Sequence, residues 1–163
     1  IPVQDIARGL ETFSGIKRRQ EIRGEKRDII VMDDFAHHPT AVRETIRAVK
    51  SISNSGRLIA VFEPRTATSM RRIFQDEYAR SFDSADLVCI RKPPQVRKIP
   101  DGEKFSSEQL VADLKDRGKK AYYFPDTDAI INFLTDHARP ADLILIMSNG
   151  GFDNIHERLL DSL

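Results

Sequence analysis

Ile29-Ile30-Val31-Met32-Asp33-Asp34-Phe35-Ala36-His37-His38-Pro39-Thr40 decides how this chain folds. An apolar run ends in adjacent carboxylates and adjacent imidazoles, and Pro39 then opens a stretch of different rhythm. Pro39 suits the first turn of a helix, where its missing N–H costs nothing. Val42, Ile46, Val49 and Ile52 follow at helical spacing, with Arg43, Glu44, Arg47 and Lys50 on the opposite face. A strand that ends in polar residues and turns into a helix is where open α/β sheets place ligands. The helix start also offers unpaired N–H groups and a positive dipole end to an anion. The segment therefore points to a phosphate or nucleotide ligand.

Working outward, the same strand-to-helix rhythm recurs. Upstream, Gln20–Gly24 and Ile29–Asp33 read as two strands joined through Gly24-Glu25-Lys26-Arg27, a hairpin turn. Ile1–Phe13 is a lead-in without an assigned element. Downstream, Leu58–Phe62 is an uninterrupted apolar run, as expected of a strand covered on both faces. A helix over Arg72–Ser84 carries Phe74, Tyr78 and Phe82, and Leu87–Ile90 is the next short strand. Ser106 with Gln109 resembles a capping box for a helix that stops at Gly118. Ala121–Phe124 is a strand, Asp126 caps a helix carrying Ile130, Ile131, Phe133 and Leu134, and Leu143–Met147 is the last strand before a closing helix. This alternation predicts an α/β fold, a mostly parallel sheet with helices on both faces and an antiparallel edge strand or hairpin at the N-terminal side.

The bulk properties narrow the function classes. A length of 163 residues is the usual size of one domain, and 31% charged with 40% hydrophobic residues is ordinary for a globular protein. A formal net charge of +1 gives no reason to expect a nucleic-acid or membrane-surface partner. The triplet Lys17-Arg18-Arg19 has neither a second basic run nor an aromatic ladder to support nucleic-acid binding. It reads as a solvated cluster or as one arginine reaching a phosphate. No apolar stretch approaches the roughly 18 residues of a membrane span. The single cysteine, Cys89, lies in an apolar run and reads as a buried small hydrophobe, in keeping with the cytosol. The chain opens on Ile1 and not on methionine, which is read as the mark of a domain excised from a longer protein.

In a parallel sheet the loops at the strand C-terminal ends share one edge, here Asp33–Pro39, Glu63–Ser69, Lys92–Lys104, Pro125-Asp126 and Ser148–Gly151. The Asp-Asp and His-His pairs admit three readings: metal ligands of a phosphoesterase, a purely structural turn, or a turn that touches a nucleotide. In the last, one Asp accepts from ribose hydroxyls while His37 or His38 faces phosphate. Arg65 is suited either to clamping a carboxylate or phosphate or to a solvated loop. Ser148-Asn149-Gly150-Gly151 has the composition for close backbone approach to a ligand, or for a plain loop. No Gly-x-x-x-x-Gly-Lys-Ser/Thr and no Gly-x-Gly-x-x-Gly segment occurs, so the chain does not hold a complete triphosphate site by itself.

Phe13-Ser14-Gly15-Ile16-Lys17-Arg18-Arg19-Gln20-Glu21, Asp33 through Thr40, Glu63-Pro64-Arg65 and Met147-Ser148-Asn149-Gly150-Gly151-Phe152 together resemble the C-terminal domain of the Mur ligases of bacterial cell-wall synthesis. Within that family they look most like the murein peptide ligase branch. The resemblance implies a Rossmann-like domain over residues 14–163, with residues 1–13 the hinge or tail of a preceding central domain. It implies a cytoplasmic bacterial enzyme of peptidoglycan recycling. That enzyme joins L-alanyl-γ-D-glutamyl-meso-diaminopimelate to UDP-N-acetylmuramate through an acyl phosphate, using ATP and Mg²⁺. The partners implied are the N-terminal domain, which binds the UDP-sugar, and the central domain, which supplies the P-loop and most metal ligands. Carried over by position, Arg19, Asp34 and His38 are expected at the nucleotide, and Arg65, Ser148, Asn149 and Phe152 at the incoming peptide. No catalytic residue and no metal ligand is expected within this chain. The competing reading is a free-standing flavodoxin-like nucleotide-binding or metal phosphoesterase domain.

Overall fold

A computed structural model of the chain describes residues 1–13, 15–53, 56–65, 69–93, 100 and 103–163. The elements run α1 (Val3–Glu11), β1 (Glu21–Lys26), β2 (Ile29–Asp34), α2 (Pro39–Ile52), β3 (Leu58–Phe62), α3 (Gln75–Ser81), β4 (Leu87–Arg91), α4 (Ser107–Asp116), β5 (Lys120–Phe124), α5 (Thr127–His137), β6 (Leu143–Met147) and α6 (Ile155–Ser162). The strands form one six-stranded sheet in the order β1-β2-β6-β3-β4-β5. Only the β1–β2 pair is antiparallel, and every other neighbour is parallel. The fold class expected from the alternation is therefore the one observed.

The strand pleat divides the core in two. Leu58, Ala60 and Phe62 of β3, with Leu143, Leu145 and Met147 of β6, face Val42, Ile46 and Val49 of α2 and Leu110 and Leu114 of α4. Ile59 and Val61 of β3, with Ile144 and Ile146 of β6, face Ile130 and Leu134 of α5 and Ile155 and Leu159 of α6. β3 and β6 are buried at all their positions, which is why both read as unbroken apolar runs. Right-handed crossovers account for the two layers, since the chain moves one way across the sheet from β2 to β5 and returns to place β6.

Local signals act as their chemistry requires. Ser106 Oγ accepts from the Gln109 amide at 3.0 Å and Asp126 Oδ1 from the Ala129 amide at 2.8 Å, capping α4 and α5. The helix expected over Arg72–Ser84 is shorter: a 3₁₀ turn at Arg72–Phe74 leads into α3, which closes at Ser81. Ile1–Phe13, read as a lead-in, contains α1. Its apolar residues Val3, Ile6 and Leu10 lie on one stripe and remain exposed, and the helix buries none of its residues. A helix this short gains little from propensity alone, so α1 lacks the packing that supports the others.

The hairpin turn is not where the glycine suggested. Gly24 lies inside β1 at a register shift between Ile22 and Gly24, and a Cβ there would come within 2.8 Å of Leu160 Cδ1. The bulge lets α6 press onto β1 at a place where a side chain would collide. The turn itself is Arg27-Asp28, with φ of 54° and 60°, between the paired residues Lys26 and Ile29. Two left-handed residues are what a tight hairpin needs to match the strand twist; Asp28 tolerates that region better than Arg27, and glycine better than either. Asp28→Gly is expected to raise unfolding stability by about 0.5–1 kcal/mol, read as a higher denaturant midpoint with unchanged slope. A lower midpoint would show that the Asp28 side chain does more than tolerate the turn.

Candidate functional site at the carboxyl edge of the sheet

Register assembles the site. Met147 of β6 pairs with Asp34 on one side and Phe62 on the other, and Phe62 pairs in turn with Ile90. The next residues along, Ser148, Glu63 and Arg91, therefore lie level on three adjacent strands. The pleat turns all three toward α5 and α6, as it does Asp33 on β2. A polar row thus tops the apolar layer beneath those helices.

Asp33 and Asp34 point to opposite faces, and each has its own partners. Asp33, 2% exposed, has Arg18 Nε at 3.3 Å and Arg23 Nη1 at 3.7 Å from Oδ2, with His156 Nε2 at 3.4 Å from Oδ1. The His156 contact lacks hydrogen-bond geometry, leaving both of its atoms without a hydrogen bond, and it is an ion pair only when the imidazole is protonated. Burial alone would push the Asp33 carboxyl up, but His156, Arg18 and Arg23 together hold it below the ordinary carboxylate value. Arg18 extends the cluster by donating from Nη2 to the carbonyls of Ser148 and Gly150, the latter at 2.9 Å. Asp34, 3% exposed, accepts from the Gln20 amide at 2.9 Å, the Ala36 amide at 2.8 Å and Thr45 Oγ1 at 3.4 Å. Its carboxylate fixes the turn out of β2 and ties the Arg18–Gln20 segment to it. Arg18 and Gln20 are left-handed in that segment, with φ of 58° and 50°.

Beyond Asp34, His37 Nδ1 bonds the Phe35 carbonyl at 2.9 Å, and Tyr78, whose hydroxyl burial pushes up, donates to the His37 carbonyl. His38 is exposed at the N-cap of α2, its ring edge-on to Phe74 at 4.9 Å, and no side chain caps the helix. The leading amides of α2 are thus available to an acceptor. Arg19 is exposed with its guanidinium 5.4 Å from the Phe35 ring centroid. An exposed cation on the Phe35 ring and the uncapped amides of α2 are each suited to an anion such as phosphate. This is a partial cradle only, because the chain contains no glycine-rich phosphate loop with its lysine.

On β3 and its neighbours, Glu63 is fully buried. Ser148 Oγ donates to its Oε2 at 2.6 Å, and Arg91 Nη1 donates to its Oε1. Arg91 Nη2 reaches Asp153 Oδ2 at 2.6 Å, and Thr127 Oγ1 donates to the same oxygen at 2.8 Å. Ser148 Oγ also accepts from the Gly150 amide at 2.9 Å. Arg65 is exposed, with Nη1 3.7 Å from Glu63 Oε1, and its stem lies over Gly150, where any Cβ would come within 2.4 Å of Arg65 Cδ. The turn after Gly151 holds three successive left-handed residues, Phe152, Asp153 and Asn154, at φ of 44°, 51° and 54°. Each such residue costs of order 1 kcal/mol, so the turn survives because Phe152 is buried and Asp153 is bonded twice.

Of the residues singled out from sequence, Arg19, His38 and Arg65 stand exposed at this edge, while Asp34, Ser148 and Phe152 are buried. Asn149 is half-buried, and its Oδ1 has no partner among the described residues. Thr66, Ala67 and Thr68, beside Arg65, lie outside the described residues. The sequence reading gave no individual role to Arg18 or Glu63, which it quoted only within motifs, and passed over Arg91, Asp153 and His156. A signal existed for two of them, because Glu63 and Arg91 directly follow apolar strand runs, as Asp33 does.

Comparison with known proteins identifies the family to which this fold belongs. The family model described as the Mur ligase, glutamate ligase domain matches residues 18–150. The UDP-N-acetylmuramate–L-alanyl-γ-D-glutamyl-meso-2,6-diaminoheptandioate ligase of Escherichia coli is 39% identical over 160 residues, covering 98% of this chain and 33% of that one. The UDP-N-acetylmuramate–L-alanine ligase of Acetivibrio thermocellus is 35% identical over 158 residues, 97% of this chain and 33% of its own length. Among solved structures, the murein peptide ligase of Psychrobacter arcticus superposes with a TM-score of 0.77 at 36% identity, covering 99% of this chain and 33% of that one. The chain thus spans about a third of the length of the curated relatives it matches. Among the described residues no helix is long and apolar enough to cross a membrane.

The Asp33 cluster yields a stability prediction. Asp33→Asn leaves Arg18, Arg23 and His156 facing a neutral amide, and a loss of about 2–4 kcal/mol is expected near pH 7. Because the folded-state pKa of Asp33 lies below its unfolded value, its contribution is fully present above the unfolded value. It is lost as the pH falls through the folded one. The gap between the two proteins should therefore narrow below about pH 4, and a gap independent of pH would rule out the charge as its source.

Proposed function

The chain belongs to the Mur ligase C-terminal domain family, and on that premise we propose that it is the acceptor-receiving domain of a longer ATP-dependent peptide ligase. In this reading residues 14–163 form that domain and residues 1–13 are the hinge or tail of a central domain. The exposed apolar stripe of α1 supports the division, since a helix built to pack here would not leave Val3 and Leu10 at 79% and 71% exposure. The N-terminal and central domains supply the UDP-sugar site, the P-loop and most Mg²⁺ ligands. The enzyme works in the bacterial cytoplasm and serves peptidoglycan recycling.

The reaction proposed is activation of the UDP-N-acetylmuramate carboxylate by ATP as an acyl phosphate, followed by attack of the amine of L-alanyl-γ-D-glutamyl-meso-diaminopimelate. This chain's share is to bring cations and amides to the phosphates and to hold the acceptor. Arg19 and the leading amides of α2 stabilise phosphate charge, with His38 beside them. Asp34 serves the nucleotide side by fixing the turn, and meets ribose only where the Gln20 amide yields its place. On the acceptor side Arg65 clamps a peptide carboxylate, while Asn149, Ser148 and Phe152 shape the loop from beneath. Closure of the domain over the others excludes water from the activated carboxylate.

One observation carries the acceptor assignment: Arg65 is an exposed guanidinium beside a carboxylate whose hydrogen bonds come from other residues. A tripeptide with several carboxylates suits such a group better than L-alanine does. Assaying the full-length ligase with tripeptide and with L-alanine as acceptors tests the choice, and preference for L-alanine would transfer the chain to the other branch.

Incubated alone with ATP, UDP-N-acetylmuramate and tripeptide, this chain is expected to release no phosphate above the buffer rate, and turnover by it would refute the division of labour. In the full-length ligase, Arg65→Ala is expected to raise the Michaelis constant for tripeptide at least about tenfold, from roughly 1.5–3 kcal/mol for a charged hydrogen bond, with ATP nearly unaffected. Arg65→Lys should recover part of that, because a point charge replaces the bidentate fork. An unchanged tripeptide constant would remove Arg65 from the site.

A further inference from the structure

We infer that Arg91 is a positioning residue for acceptor recognition: by occupying the buried carboxylate of Glu63, it keeps the guanidinium of Arg65 free for a carboxylate of the incoming peptide. The inference rests on the peptide-ligase reading and on Arg65 as its acceptor clamp.

Glu63 has three donors within reach. Ser148 takes Oε2, Arg91 takes Oε1, and Arg65 waits 3.7 Å from the same Oε1 without a hydrogen bond. The two arginines differ in how they arrive. Arg91 stands level with Glu63 on the neighbouring strand, is 15% exposed, and spends its second terminal nitrogen on Asp153. Its guanidinium also lies 5.5 Å from the Phe152 ring centroid. Four features therefore fix it: a strand, two carboxylates and a ring. Arg65 sits in the loop beyond β3, 44% exposed, with Gly150 beneath its stem.

A buried carboxylate attracts the nearest cation strongly, because little water remains to compete. With Arg91 in place that demand is met, and Arg65 keeps its donors for a ligand. Without Arg91 the nearest other cation is Arg65, close enough to bond Glu63 by side-chain rotation alone. The site would then lose its acceptor clamp with no residue of the clamp altered. Asp153 adds the second tether, since the same guanidinium that neutralises Glu63 also holds the left-handed turn at Phe152–Asn154. One side chain thus sets both the charge under Arg65 and the course of the loop beside it.

Four variants of the full-length ligase test this: Arg65→Ala, Arg91→Gln, Arg91→Lys and the double variant Glu63→Gln/Arg91→Gln. Arg91→Gln is expected to raise the Michaelis constant for tripeptide about tenfold, as Arg65→Ala does, and to leave that for ATP within about twofold. Arg91→Lys keeps a cation on Glu63 and should stay within about threefold of the parent. The double variant should return toward the parent, because a neutral amide no longer recruits Arg65. A purely structural Arg91 would give no such relief, so an unrelieved rise in the double variant overturns the inference at any melting temperature. An unchanged tripeptide constant in Arg91→Gln overturns it as well. If Arg65→Ala is itself silent, the acceptor assignment falls and takes the inference with it; if Arg65→Ala raises the constant and Arg91→Gln does not, only the role of Arg91 is lost.

Discussion

Met147 lies level with Asp34 on one side and with Phe62 on the other, and most of the site depends on that double pairing. β6 is the last strand in sequence, yet it is inserted between β2 and β3. Backbone hydrogen bonds to both neighbours, with an apolar core on each face, leave it no freedom to slip, because a shift of one residue would turn its whole apolar set around. Once the register is fixed, the residues at the carboxyl ends of the strands are brought side by side. Ser148 meets Glu63, Glu63 meets Arg91, and Arg18 closes the remaining gap by binding the Ser148 and Gly150 carbonyls. The Ser148–Glu63–Arg91 contacts need no loop to find its own conformation, whereas Arg18 reaches in from the left-handed segment ahead of β1.

The polar row also shows how a charged edge can rest on a dry core. Asp33 and Glu63 are both buried carboxylates, and cationic side chains meet each one: Arg18 and Arg23 at Asp33, Arg91 at Glu63. Burying a charge without such company would cost several kcal/mol. The compensation comes from different parts of the chain: a residue ahead of β1, one within β1, one at the end of β4 and one in α6. The site's electrostatics therefore belong to the assembled fold and to no single segment.

That origin explains what the sequence let one read. The alternation, the five-residue apolar strands β3 and β6, the caps at Ser106 and Asp126 and the loops gathered on one edge all follow from periodicity and local chemistry. Gly24 misled because a glycine marks close approach as readily as a turn; here Leu160 occupies the space, and the turn falls to Arg27-Asp28, of which only Asp28 is a common turn residue. The helix at Val3–Glu11 escaped notice because its stripe has nothing to pack on among the described residues. At the site, the loop with adjacent carboxylates stood out while Glu63 and Arg91 looked like ordinary charges at loop entrances. Their importance lies in a pairing between residues 28 positions apart, which no local pattern encodes. The divergence of Asp33 and Asp34 follows from the strand pleat, but the partners that bury each one come from β1, α2 and α6.

Asn149-Gly150 introduces a question of chemical ageing. In a supple chain an asparagine followed by glycine loses ammonia readily, because the glycine nitrogen can attack the side-chain carbonyl and close a succinimide ring. Here that nitrogen donates its hydrogen to Ser148 Oγ, the Gly150 carbonyl is held by Arg18, and the Arg65 stem covers the glycine. The contacts that shape the loop thus also guard its covalent integrity. Damage at this dipeptide becomes a clock for time spent unfolded, and its product would place a new carboxylate on the very edge where Arg65 offers its charge.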